Sequence, residues 1–248
     1  MLKKIIPLVL IGLLLFGSMG AAQGLTIDEI MARVDENRHF TSAYSKMQMT
    51  IRSGRREMTK EMEAWTEGSN SLVEFTNRSD RGTKYLKLDD ELWMFFPDAE
   101  DLVKISGHML KQGFMGSDMS YEDMMVSEKM TDLYDFTLVG EEELDGRPTY
   151  VVKAQGKPGA EVSYALRQMW IDAETFLPLK EELYAVSGRL LKVMTVDEIR
   201  EIEGRNYPVV VTMEDQLKRN SRTQIILSEI QFDVEIEEGT FSLDSLMR

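Results

Sequence analysis

The residues Arg81-Gly82-Thr83-Lys84-Tyr85-Leu86-Lys87-Leu88-Asp89-Asp90-Glu91-Leu92-Trp93-Met94-Phe95-Phe96-Pro97 are followed shortly by Gly113-Phe114-Met115-Gly116-Ser117-Asp118-Met119-Ser120-Tyr121-Glu122-Asp123-Met124-Met125. The first part is two apolar-rich runs around an Asp89-Asp90 turn, the pattern of a β-hairpin. In the second part the alternation stops. Six methionines fall between Gly107 and Met130. Methionine's mobile side chain specifies packing poorly and suits irregular or changing apolar contacts. The stretch therefore reads as sheet joined to a binding segment.

Working outward, the same alternation recurs on both sides. Met47, Met49 and Ile51 interleave with Lys46, Gln48 and Thr50, and Lys60 to Trp65, Ser71 to Thr76 and Leu102 to Ile105 follow suit. Beyond the methionine segment, strands are expected at Phe136 to Glu142, Thr149 to Ala154, Ala165 to Asp172, Leu179 to Val186, Arg189 to Val196, Val209 to Glu214 and Thr223 to Val234. Leu144-Asp145-Gly146-Arg147 is a hairpin turn. Thr26 with Glu29 forms a capping box, and Ile27, Ile30, Met31 and Val34 share a face, which predicts a helix from about Ile27 to Asn37. Ser120 with Asp123 can start a second, through about Met130. The expected fold is mainly β, with about eleven antiparallel strands in a single sheet that must curl to bury one face beneath a helical cover.

The chain opens with Lys3-Lys4, an apolar run from Ile5 to Phe16, and small residues to Ala22. This is the pattern of a cleaved export signal, since the run is about twelve residues against the roughly twenty that span a bilayer. The expectation is a signal peptide over residues 1–22 and one domain over 23–248, released beyond the inner membrane in soluble form. No cysteine occurs, so there is no disulfide, thiolate site or point of lipid attachment. The formal charge of −14 repels phosphate backbones, which speaks against nucleic acid as a partner.

Chemistry-bearing residues are few. His39 and His108 stand outside any motif, and Asp118, Glu122 and Asp123 lack calcium-loop spacing and match no hydrolase signature. They read as a solvated helix start. No enzyme, metal or cofactor is expected.

With these residues in place, the chain resembles the outer-membrane lipoprotein-sorting (LolA/LolB-like) proteins, in their divergent branch. The resemblance is carried by Arg81-Gly82-Thr83 to Trp93-x-Phe95-x-Pro97, by Gly113 to Asp118, and by Trp170-Ile171-Asp172 followed by Pro178-Leu179-Lys180. It implies an incomplete β-barrel with a helix-covered apolar cavity, acting as a periplasmic carrier for lipoprotein acyl chains or free lipid. It also implies an inner-membrane exporter of the resistance-nodulation-division type and an outer-membrane acceptor as partners. An adaptor subunit that holds a protein segment in the same groove is the alternative. Exposing a sixteen-carbon chain to water costs on the order of 12 kcal/mol, so such a carrier needs a dry wall and a cover that opens. The wall is expected from Met47, Met49, Ile51, Val73, Phe75, Leu86, Leu88, Trp93 and Phe95. The cover is expected from Met109, Leu110, Phe114, Met115, Met119, Met124 and Met125, with Gly107, Gly113 and Gly116 lending backbone freedom.

Overall fold

A computed structural model describes residues 24–37, 40–125 and 129–247. The expected signal peptide and His39 lie outside these residues. Helix α1 (Ile27–Asn37) is followed by β1 (Ser42–Ser53), β2 (Arg56–Glu67), β3 (Asn70–Phe75), β4 (Lys84–Leu88), β5 (Glu91–Phe96) and β6 (Asp101–Ile105). A long connection and a one-turn helix, α2 (Met130–Leu133), lead to β7 (Tyr134–Leu144), β8 (Arg147–Gly156), β9 (Leu166–Asp172) and β10 (Pro178–Tyr184). The chain continues through β11 (Leu190–Ile202), β12 (Arg205–Asp215), β13 (Ser221–Phe232) and a terminal turn, α3 (Leu243–Leu246).

The strands form one antiparallel sheet in the order β6-β5-β4-β3-β2-β1-β13-β12-β11-β10-β9-β8-β7. The sheet has thirteen strands against about eleven expected, and each alternating run read from the sequence is one of them. At β7–β8 the turn residues Asp145 and Gly146 both have positive φ, 51° and 81°, which matches the strand twist of a two-residue hairpin. The sheet's edges are β6 and β7, so it does not close.

Its curvature follows from one short stretch of chain. Tyr121 packs its ring 5.8 Å from that of Tyr85 on β4, and Asp123, two residues on, pairs with Lys192 on β11 at 2.8 Å. Those strands are six places apart in the sheet, about 29 Å if it were flat. Only a sheet curled around the segment brings both within its reach.

Tracing register across the sheet shows which side chains share the concave face. Ile51 lies opposite Thr223, Thr223 opposite Met213, Met213 opposite Met194, Met194 opposite Glu181, and Glu181 opposite Met169. Toward the β6 edge, Met62 lies opposite Phe75, Val73 opposite Tyr85, and Tyr85 opposite Met94.

Two covers lie on this face. The α1 cover is fixed by its capping box, in which Thr26 N–H donates to Glu29 at 2.8 Å and Glu29 N–H to the Thr26 hydroxyl at 3.3 Å. Ile30, Met31 and Val34 are fully buried against Met130, Tyr134, Val152, Ala154, Met169 and Ile171. Each contributes roughly 2 kcal/mol of transfer free energy. The Asn37 amide, donating to the Thr175 carbonyl at 2.7 Å, holds the helix end to the β9–β10 turn. The second cover is the methionine-rich connection, which must cross the open face because it joins the two edge strands.

The opposite, convex face has its own apolar patch on β2–β6, made of Trp65, Leu72, Leu86, Leu88, Trp93, Phe95 and Leu102. Phe241, Leu243 and the fully buried Leu246 lie over it, and the Ser245 carbonyl accepts from Lys84 at 3.2 Å. The C-terminal segment thus packs on a sheet face. Leu246→Ala is expected to cost about 3 kcal/mol in urea unfolding while leaving uptake of a fluorescent acyl probe unchanged, because this residue faces away from the covered side.

Candidate functional site

The candidate site is the apolar contact between the concave face and the methionine-rich cover. Its wall holds Met49, Ile51, Met62, Val73, Phe75, Tyr85, Leu92, Met94 and Ile105, all buried. Phe114 and Tyr121 of the cover are buried in the same cluster, with Met47, Met109, Leu110, Met115, Met124 and Met125 partly buried around it. At its centre Phe114 sits 5.8 Å from the Phe75 ring and 4.9 Å, edge-on, from Tyr85. Burial pushes the Tyr85 hydroxyl far up from its ordinary range, so it stays a donor, and it donates to the Met115 sulfur at 2.9 Å.

Of the expected wall, Met47, Met49, Ile51, Val73 and Phe75 meet the cover here. Leu86, Leu88, Trp93 and Phe95 do not: they lie on the convex face under the C-terminal segment. The physical reason is that both faces of β4 and β5 are apolar, and alternation gives a period without a phase. Their inward neighbours Tyr85, Leu92 and Met94, which the sequence reading passes over, occupy the wall. Met119 also stands apart, packing with Tyr164, Leu183, Met213, Leu191 and Met194 farther along the concave face.

The cover is a knot more than a hinge. Gly113 bridges Ser120, Phe114 N–H donates to the Met119 carbonyl at 2.7 Å, and Tyr121 N–H donates to Gln112 at 3.1 Å. A Cβ at Gly113 would collide with the Ser117 carbonyl oxygen, so glycine is required there for close packing. Met115 adopts left-handed backbone with φ 50° and ψ 28°, a strain on the order of 1 kcal/mol held by its surroundings.

Asp118 and Asp123 are not solvated. Ser117 and Asp118 are fully buried, and the Asp118 carboxylate accepts from the Ser221 hydroxyl, from Thr223 at 3.3 Å and from the Lys218 ammonium at 3.2 Å. Its own N–H donates to the Thr223 hydroxyl at 2.9 Å. Ser120 and Asp123 do form the reciprocal cap, at 2.7 and 3.3 Å, but the helix is a single turn at Glu122–Met124 and does not run on to Met130. Asp123 spends its remaining capacity on Lys192 and on the Tyr164 hydroxyl at 2.7 Å. Burial works to raise its pKa, but Lys192, the Ser120 N–H and Tyr164 together hold it below the ordinary aspartate value. These two carboxylates fasten the cover to β11 and β13. Among the described residues no group of three or more His, Cys, Asp or Glu side chains is placed to hold a metal ion.

Comparison with known proteins places this architecture in a class, the open, covered antiparallel sheet of the LolA-like proteins. The chain is 27% identical, with a TM-score of 0.82, to a DUF1329 family protein from Desulfovibrio piger, covering 88% of this chain and 96% of that one. It is 25% identical, with a TM-score of 0.74, to a LolA superfamily protein from Nitrosomonas europaea, over 90% and 100%. At 22% identity and a TM-score of 0.77 it shares its fold with an outer membrane lipoprotein-sorting protein domain from Vibrio parahaemolyticus, over 88% and 98%. No curated protein matches the sequence. The chain belongs to the family whose model matches residues 67–248, which is described as "Uncharacterized protein".

Asp118→Ala and Asp123→Asn are each expected to raise amide exchange across residues 113–125 by about tenfold or more while β1–β3 keep their protection. The pH dependence has a definite sign. A depressed carboxyl contributes its stability above the unfolded value, 3.8 for aspartate, and loses it as pH falls through the lower folded value. The exchange difference between wild type and Asp123→Asn should therefore persist at neutral pH and disappear only in strong acid.

Proposed function

We propose that this protein is an exported carrier which takes acyl chains of lipoproteins or free lipids between the concave face and the methionine-rich cover. It hands them between membrane-bound partners, an inner-membrane exporter on one side and an outer-membrane acceptor on the other. No bond is made or broken in this role.

The observation that carries the reading is the Phe114–Met125 cover, seated on an apolar wall by side chains that can repack. Met109, Met115, Met124 and Met125 are only partly buried. They can follow chains of differing length at little cost, since methionine fills irregular space with few rotamer penalties. The polar contacts of Asp118 and Asp123 return the cover to one seat after release. The likeness to a lipoprotein-sorting domain and to a LolA superfamily protein supports the same assignment. An exported location is supported by the signal-like start of the sequence, and no helix among the described residues is long and apolar enough to cross a membrane.

Protein purified without detergent and extracted with organic solvent should release lipid detectable by mass spectrometry, and the emptied protein should take up a fluorescent fatty-acyl probe. Absence of both would sink the proposal. Met115→Asp and Met124→Asp, which place a carboxylate against the chain, should each weaken probe uptake by about tenfold or more with the fold intact. Unchanged uptake in both would remove the cover from the site.

A further inference from the structure

Among the described residues, one buried side-chain nitrogen has no hydrogen-bond partner, and it lies on the concave face. Arg167, on β9, sits opposite Ala154 of β8 and Leu183 of β10, where the cluster beneath α1 and α2 meets the cluster around Met119. Its guanidinium has five N–H donors in a fixed plane. One terminal nitrogen, Nη2, pairs with Glu181 at 3.1 Å. The other, Nη1, faces the Met130 sulfur at 3.9 Å, a weak acceptor. The Nε–H is fully enclosed and has no partner, the one such buried side-chain atom among the described residues. The rings of Tyr134 and Tyr164 flank the group at 5.6 and 5.9 Å and hold its plane.

The charges around it say what kind of partner is missing. Arg167 already has the carboxylate of Glu181, and Lys192 nearby has that of Asp123 at 2.8 Å, so the network is balanced cation for anion. An anionic head would bring an uncompensated charge into a buried place. A neutral acceptor would complete the Nε donor without disturbing that balance. An acyl chain offers one such acceptor: the carbonyl oxygen where it is esterified or amidated.

We propose that Arg167 docks the carbonyl of an ester- or amide-linked acyl chain, so that the chamber selects acylated molecules over free fatty acids and alkyl ethers. This rests on the carrier reading and adds the ligand class to it. Tyr134 and Tyr164 set the plane in which the carbonyl is met, and Glu181 anchors the guanidinium through Nη2.

The test compares ligands of equal chain length on the full mature protein: monopalmitoylglycerol, its ether counterpart hexadecylglycerol, and palmitate, each displacing a fluorescent acyl probe. The ester is expected to compete about tenfold better than the ether, and better than palmitate. Arg167→Lys keeps a positive charge for Glu181 but has no Nε fork, and should bring the ester down to the level of the ether while leaving the ether unchanged. Equal competition by ester and ether in wild type, a comparison that needs no variant, would overturn the carbonyl dock and leave the carrier role standing. Strongest competition by palmitate would overturn it in favour of an anion site. Failure of wild type to bind the probe at all would overturn the carrier role and this inference with it.

Discussion

An antiparallel sheet that curls without closing leaves a concave apolar face that water cannot be allowed to reach. Here the two unpaired edges, β6 and β7, are also consecutive in sequence, so the chain between them has to cross that face. One constraint thus supplies both the need for a cover and the cover itself. α1 covers the face over β7–β9, and the connection covers β1–β6 and reaches β10–β13 through Asp118, Met119 and Asp123. What the crossing chain is made of then decides whether the fold has an inert core or a space that can be reopened.

Two kinds of contact divide that task. Methionines and Phe114 supply apolar area without demanding a single arrangement, so another apolar body can replace much of it. Asp118 and Asp123 supply the opposite property. A buried carboxylate is stable only where its partners are, and Ser221, Thr223, Lys218, Lys192 and Tyr164 define one seat for the cover. Breaking such contacts is costly, but the lost hydrogen bonds can be remade with water once the segment lifts. On the proposed carrier reading, adaptable area and fixed polar seats give a cover with one closed state and tolerance of varied contents.

Much of the fold was legible in residue order. The Thr26–Glu29 cap and the Ile30, Met31, Val34 face placed α1 at its observed bounds, and every run of alternation became a strand. Phase was not legible where both faces are apolar. Leu86, Leu88, Trp93 and Phe95 alternate as well as Tyr85, Leu92 and Met94 do, and only the distant Phe241–Leu246 segment, by covering the convex side, settles which set looks inward. The buried roles of Asp118 and Asp123 were hidden for a related reason. Their partners lie 41 to 105 residues away in sequence, and local spacing suggested only a helix start. Arg167 likewise carried no motif, and its incomplete hydrogen bonding is a property of the assembled face.

The central claim is that the covered concave face, and not the apolar patch on the convex side, receives the acyl chain. A fatty-acyl ligand carrying a photoreactive diazirine along its chain tests this directly, with the adducts mapped by peptide mass spectrometry. Adducts on Met49, Phe75, Met94, Phe114 and Met115 are the predicted result. Adducts confined to Trp93, Phe95, Leu102 and the C-terminal segment, or none at all, would contradict it.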